Sequence, residues 1–132
     1  MFNTQLKETT EDLLLMHEYG VNVKTRTVYL MGEFGGEADV VEMTLANLRH
    51  LTSEANFPND HLKPVTMVID SPGGEDIAMF HLYDFMITCK PPIRTVGTGE
   101  VGSAAALILV AGEKGFRAAT PNCMYMTHKG KS

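Results

Sequence analysis

The stretch that most constrains this chain runs from Ile93-Arg94-Thr95-Val96-Gly97 through Gly99-Glu100-Val101-Gly102-Ser103-Ala104-Ala105-Ala106 to Leu107-Ile108-Leu109-Val110-Ala111-Gly112. A β-type run, a glycine-framed stretch and an apolar segment ended by glycine predict strand, tight turn and buried helix. Ser103 then falls in the first turn of that helix, where unpaired backbone N–H groups gather. A hydroxyl at such a point is either an N-cap or a nucleophile. Serine is a preferred N-cap, and the spacing G-x-V-G-S-A is not the G-x-S-x-G of a nucleophile elbow. The stretch alone therefore favours the cap, and the flanking sequence has to decide.

Upstream, Leu13-Leu14-Leu15-Met16 after Thr10-Glu11-Asp12 predicts a short capped helix from Thr9 to Tyr19, ended by Gly20. Arg26 to Met31 reads as a strand, and Gly32 to Gly36 as a turn. From Glu37 to Ala55 the set Val41, Leu45, Leu48, Thr52 and Ala55 recurs at helical spacing, predicting an amphipathic helix on one side of a sheet. Val65 to Asp70 is nearly continuous in apolar residues, the pattern of a strand buried on both faces. Ser71-Pro72-Gly73-Gly74 follows it directly. A helix is predicted from Glu75 to Thr88, with Ile77, Met79, Phe80, Leu82, Tyr83 and Met86 apolar, stopped at Lys90-Pro91-Pro92. Phe116 to Ala119 and Cys123 to Thr127 read as two further short strands. The alternation predicts one α/β domain with a mainly parallel sheet and right-handed crossovers. Sites in such sheets form at the carboxyl ends of the strands. Three segments meet there: Asp70 to Gly74, Gly97 to Ser103, and the strand end at His128.

Composition narrows the function classes. With 11 basic and 16 acidic residues the net charge is -5, without a basic run, so nucleic acid is not an expected partner. No run of apolar residues is long enough for a transmembrane helix, and Met1 to Glu8 lacks the apolar core of a signal peptide, so a cytoplasmic protein is expected. Cys89 and Cys123 have no motif spacing and are expected as reduced core residues. The 5 histidines sit in no metal-binding motif, and no metal or other cofactor is expected.

The turn Ser71-Pro72-Gly73-Gly74 has its own logic. Glycines permit positive φ or close backbone approach, and amides exposed between a strand and a helix can donate to a developing oxyanion. Taken together, Ile69-Asp70-Ser71-Pro72-Gly73-Gly74, Tyr83-Asp84-Phe85-Met86, Lys90-Pro91-Pro92, Gly99 to Leu107, Ala111 to Gly115, Pro121-Asn122 and Met126-Thr127-His128 closely resemble the proteolytic subunit of the Clp protease. This is a family of self-compartmentalising serine endopeptidases. The resemblance runs from about Val28 to His128. It implies a spiral of βαβ units, shared with the crotonase fold. It also implies Ser103 as nucleophile, His128 as general base, and the backbone N–H groups of Gly74 and Ala104 as oxyanion hole. Polypeptide substrates, a ring homo-oligomer and an AAA+ unfoldase that alone uses ATP are implied as well.

The sequence departs from the family pattern in places. The family's third triad member, an Asp, and its long helix after the His lie beyond Ser132. Lys129-Gly130 stands where Gln-Pro is usual, Ala104 where Met is usual, and the first 25 or so residues are atypical. Asp70 replaces the usual Asn, which makes it a candidate orienting acid for His128, with turn capping as its simpler role. Two other functions are carried alongside the peptidase. One is a shortened, inactive subunit that assembles with or inhibits a full-length homologue. The other is a crotonase-like binder of acyl thioesters.

Overall fold

The computed structural model describes residues 8–36 and 39–126. Chain order is α1 (Thr10–Tyr19), β1 (Val21–Asn22), β2 (Thr27–Met31), α2 (Val40–Leu51), β3 (Val65–Ser71), α3 (Asp76–Thr88), β4 (Ile93–Gly102), α4 (Ala104–Val110), β5 (Arg117–Ala119) and β6 (Met124–Met126). The six strands make one sheet in the order β1-β2-β3-β4-β5, with β6 also on β4. Every pairing is parallel except the short antiparallel β1–β2 pair. Strands joined by helices end on the same edge, so the mainly parallel α/β domain expected from the alternation is the one observed.

Local chemistry accounts for the first helix. Thr9 Oγ1 accepts from the Asp12 amide at 3.1 Å, and Asp12 Oδ2 accepts from the Thr9 amide at 2.8 Å, a capping box with Asp as the fourth residue. Gly20 closes α1 in the left-handed conformation, its amide bonded to Met16 O. Lys24 Nζ reaches Asp12 Oδ2 at 2.8 Å. Lys24 and the Thr9 amide hold the Asp12 carboxyl down to about 2, against an ordinary 3.8. A depressed folded-state value stabilises the cap above the unfolded pKa, and that contribution is lost as pH falls from about 4 through 2. The Asp12 side-chain resonance is therefore expected to titrate near 2, with the α1 amides losing helical shifts over the same window. A midpoint near 3.8 would contradict the capping box.

The core lies on one side of the sheet. Val65, Met67, Ile69 and Ser71 of β3 are buried, while the alternate residues Thr66, Val68 and Asp70 are half-buried. This corrects the expectation of a strand covered on both faces: α2, α3 and α4 pack against one another and against a single face. Helix α2 is shorter than the 37–55 pattern suggested, capped by Asp39 and ending at Leu51. It buries Val41, Leu45, Leu48 and Leu51. Arg26 replaces the missing turn of helix as an anchor. Its guanidinium donates to Leu51 O at 2.8 Å and Lys63 O at 3.0 Å, tying the 52–64 loop to the start of β2.

Helix α3 spans the range expected, with Glu75 at its N-cap. Met79, Leu82 and Met86 are buried, but Ile77, Phe80 and Ile87 are more than half exposed and Tyr83 is exposed beside them. The apolar residues cover two faces of the helix, only one of which meets the core. The thiols of Cys89 and Cys123 are free and half-buried, and burial raises the pKa of each. No group of three or more His, Cys, Asp or Glu side chains among the described residues could hold a metal ion. Among the same residues, no helix is long and apolar enough to cross a membrane.

Candidate active site

Strand β4 is twice the length read from the sequence, because the chain does not leave the sheet at Gly97. Ile69 is opposite Gly97, but Ser71 is opposite Val101, so β4 carries two extra residues in a bulge over Thr98-Gly99-Glu100. Asp70 Oδ1 accepts the Glu100 amide at 3.0 Å, and Thr98 Oγ1 donates to Ile69 O at 3.3 Å. Gly99 takes φ 58° against the Asp70 carboxylate, where a Cβ would lie 2.7 Å from Oδ1. The strand resumes for Val101 and Gly102 and then meets Ser103.

Ser103 has φ 50° and ψ -120°, and it is one of two non-glycine residues with positive φ among the described residues. Such a backbone costs about 1–3 kcal/mol and persists only where the surroundings hold it. Its side chain makes no cap hydrogen bond to α4. The structure thus removes the N-cap role that the local sequence favoured, although Ser103 does occupy the N-cap position. A serine in a strained strand-to-helix turn, with its hydroxyl free of the cap, has the local geometry of a nucleophile elbow without the sequence signature.

The Ser71-Pro72-Gly73-Gly74 turn lies directly against this elbow. At Gly73 (φ 92°) a Cβ would sit 2.6 Å from Gly102 O and 2.8 Å from Ala104 N, so only glycine permits the approach. Phe34 forms a parallel bridge with Gly74: its amide donates to Gly73 O at 2.8 Å, and its carbonyl accepts Glu75 N at 3.2 Å. In an extended chain the residue between two such bonds turns its own N–H to the opposite side. The Gly74 amide therefore faces away from Phe34. Ala104 N is in the first turn of α4, where no intrahelical acceptor exists. The two amides assigned to the oxyanion hole are thus presented by neighbouring backbone segments.

Ser71 was not singled out by sequence reading. Fully buried, it donates from Oγ to Gly32 O at 2.6 Å and accepts from Gly73 N at 3.0 Å, fixing the glycine turn. Its signal was local: a hydroxyl two residues before a glycine turn that it can bond. Ser71→Ala strands the buried Gly73 amide and removes the donor to Gly32 O, and is expected to cost about 2 kcal/mol. Urea unfolding should show a lower midpoint at unchanged slope. An unchanged midpoint would contradict the role.

Asp70, the candidate orienting acid, is placed on the β4 bulge and bonded to the Glu100 amide. His128 lies outside the described residues. The last described strand leads toward Ser103: β6 runs parallel to β4 with Met126 opposite Gly102.

These features define a class: a mainly parallel α/β domain with a strained serine and a glycine turn at the carboxyl edge of its sheet. Comparison with known proteins gives the family. The family model described as Clp protease matches residues 11–132. The ATP-dependent Clp protease proteolytic subunit 2 of Treponema denticola is 33% identical over 123 residues, covering 92% of this chain and 56% of that protein. The crystal structure of the ClpP protease catalytic domain from Plasmodium falciparum superposes with a TM-score of 0.73 at 27% identity, over 98% of this chain and 66% of that one. The chain belongs to the Clp protease family. It spans little more than half the length of the curated relative it matches.

Proposed function

We propose that the chain is the nucleophile-bearing part of a serine endopeptidase subunit that cleaves unfolded polypeptides through an acyl-enzyme. The observation that carries this reading is Ser103, held at φ 50° with no cap bond, beside Gly73 and Gly74. Ser103 Oγ attacks the scissile carbonyl carbon while the imidazole of His128 takes the hydroxyl proton. The amides of Gly74 and Ala104 stabilise the oxyanion as the carbonyl π bond opens. When the C–N bond breaks, His128 returns the proton to the leaving amine. Water, activated by the same imidazole, then attacks the ester, releasing the acid and restoring Ser103. The register supports the pairing: Met126 is opposite Gly102, and the two residues beyond it span at most about 7 Å.

Assembly into a homo-oligomeric ring in the cytoplasm, fed by an AAA+ unfoldase that uses the ATP, completes the proposal. The apolar stripe Ile77, Phe80, Tyr83 and Ile87 on α3 supports association, since a lone domain leaves it in water. Incubating the purified protein with an unfolded polypeptide and sequencing the products tests the reading. Internal cuts that vanish on Ser103 modification are expected. An inert protein that co-purifies with a longer homologue would favour an assembly partner, and calorimetric binding of coenzyme A would favour the thioester fold.

A further inference from the structure

We infer that Asp70 is a positioning residue for Ser103, acting through the β4 bulge and not through His128. This rests on the peptidase reading above. Between Ile69 and Ser71 the register inserts two residues into β4, and everything after that point is displaced with it. The inserted segment is held at three points on β3: Glu100 N on Asp70 Oδ1, Thr98 Oγ1 on Ile69 O, and Gly99 packed on the carboxylate. Two residues beyond Glu100 the chain enters the contact of Gly73 with Gly102 O and Ala104 N, which leaves no room for a methyl group. Ser103 sits inside that contact in a backbone conformation it would not adopt unaided. The phase of the bulge therefore sets where Ser103 Oγ and the Ala104 amide lie relative to Gly74. Asp70 is the only side-chain acceptor of that clamp. On β6 the residue opposite Glu100 is Met124, so the Asp70 clamp meets β4 two residues before Gly102, which is opposite Met126. What the bulge requires of Asp70 is an oxygen acceptor, and charge is incidental.

The experiment compares wild type, Asp70→Asn and Asp70→Ala by the rate of fluorophosphonate labelling at Ser103 and by amide hydrogen exchange of the 100–104 segment. Asparagine retains a side-chain carbonyl oxygen for Glu100 N, so its labelling rate is expected within about 3-fold of wild type. Alanine is expected to label about 100-fold more slowly, the scale of an ångström-sized misplacement. Its exchange over 100–104 should rise, while circular dichroism stays native. A loss of about 10⁴-fold in Asp70→Asn would overturn the inference, because that is the signature of a carboxylate orienting a histidine. Equal labelling and exchange in all three proteins would overturn it too. If Ser103 is unlabelled in wild type, the peptidase reading fails, but exchange still decides whether Asp70 clamps the bulge.

Discussion

Ser103→Ala is expected to remove peptide-bond hydrolysis, lowering turnover about 10⁶-fold, the scale for losing the nucleophile of a serine hydrolase. At 1.36 kcal/mol per decade this is about 8 kcal/mol of barrier. The same substitution is expected to leave stability within about 0.5 kcal/mol. That pairing of effects separates the two roles a serine can have here. A capping serine replaced by alanine costs about 1 kcal/mol and leaves chemistry alone. The structure assigns no cap bond to Ser103, so there is none to lose. Hydrolysis assays and chemical unfolding on the same preparation read both numbers. A destabilised but active variant would return Ser103 to the N-cap role.

The second large effect is at Gly74. Its φ of 141° is one that L side chains rarely adopt, and an added Cβ would collide with the carbonyl and amide of Phe34. Gly74→Ala is therefore expected to break the bridge that aims the Gly74 amide. It should abolish labelling of Ser103 and cost about 3 kcal/mol or more of stability. Gly115 is the control. It also has positive φ (89°) but faces open space, so Gly115→Ala carries only the conformational cost, about 1 kcal/mol, and leaves labelling intact. Equal effects at the two glycines would mean that the bridge to Phe34 does not shape the site.

What could be read in advance followed how local the determinants are. Helix α1 was legible because Thr9, Asp12 and Gly20 carry its start and stop within one short segment. The glycine turn and Ser103 were legible as a pair because each has a distinctive residue pattern. The bulge was not. Gly97 and Gly99 look like the end of a strand, and the contacts that keep the chain in the sheet, the Asp70 carboxylate on Glu100 N and Thr98 Oγ1 on Ile69 O, come from residues about 30 positions away in sequence. The span and apolar content of helix α3 were legible, but not the division of its apolar residues between a buried side and one that stays exposed, because composition does not reveal which side meets the core. The conformation of Ser103 was hidden for a related reason. A strained φ is imposed by the packing of Gly73 against Gly102 and Ala104, which no local preference encodes.

The measurement that tests the central claim most directly is fluorophosphonate labelling of the folded protein, with the adduct located by peptide mass spectrometry and His128→Ala beside it. The account predicts a single adduct on Ser103 and its loss in the His128 variant. A folded protein whose Ser103 stays unlabelled, or labels equally without His128, would contradict it.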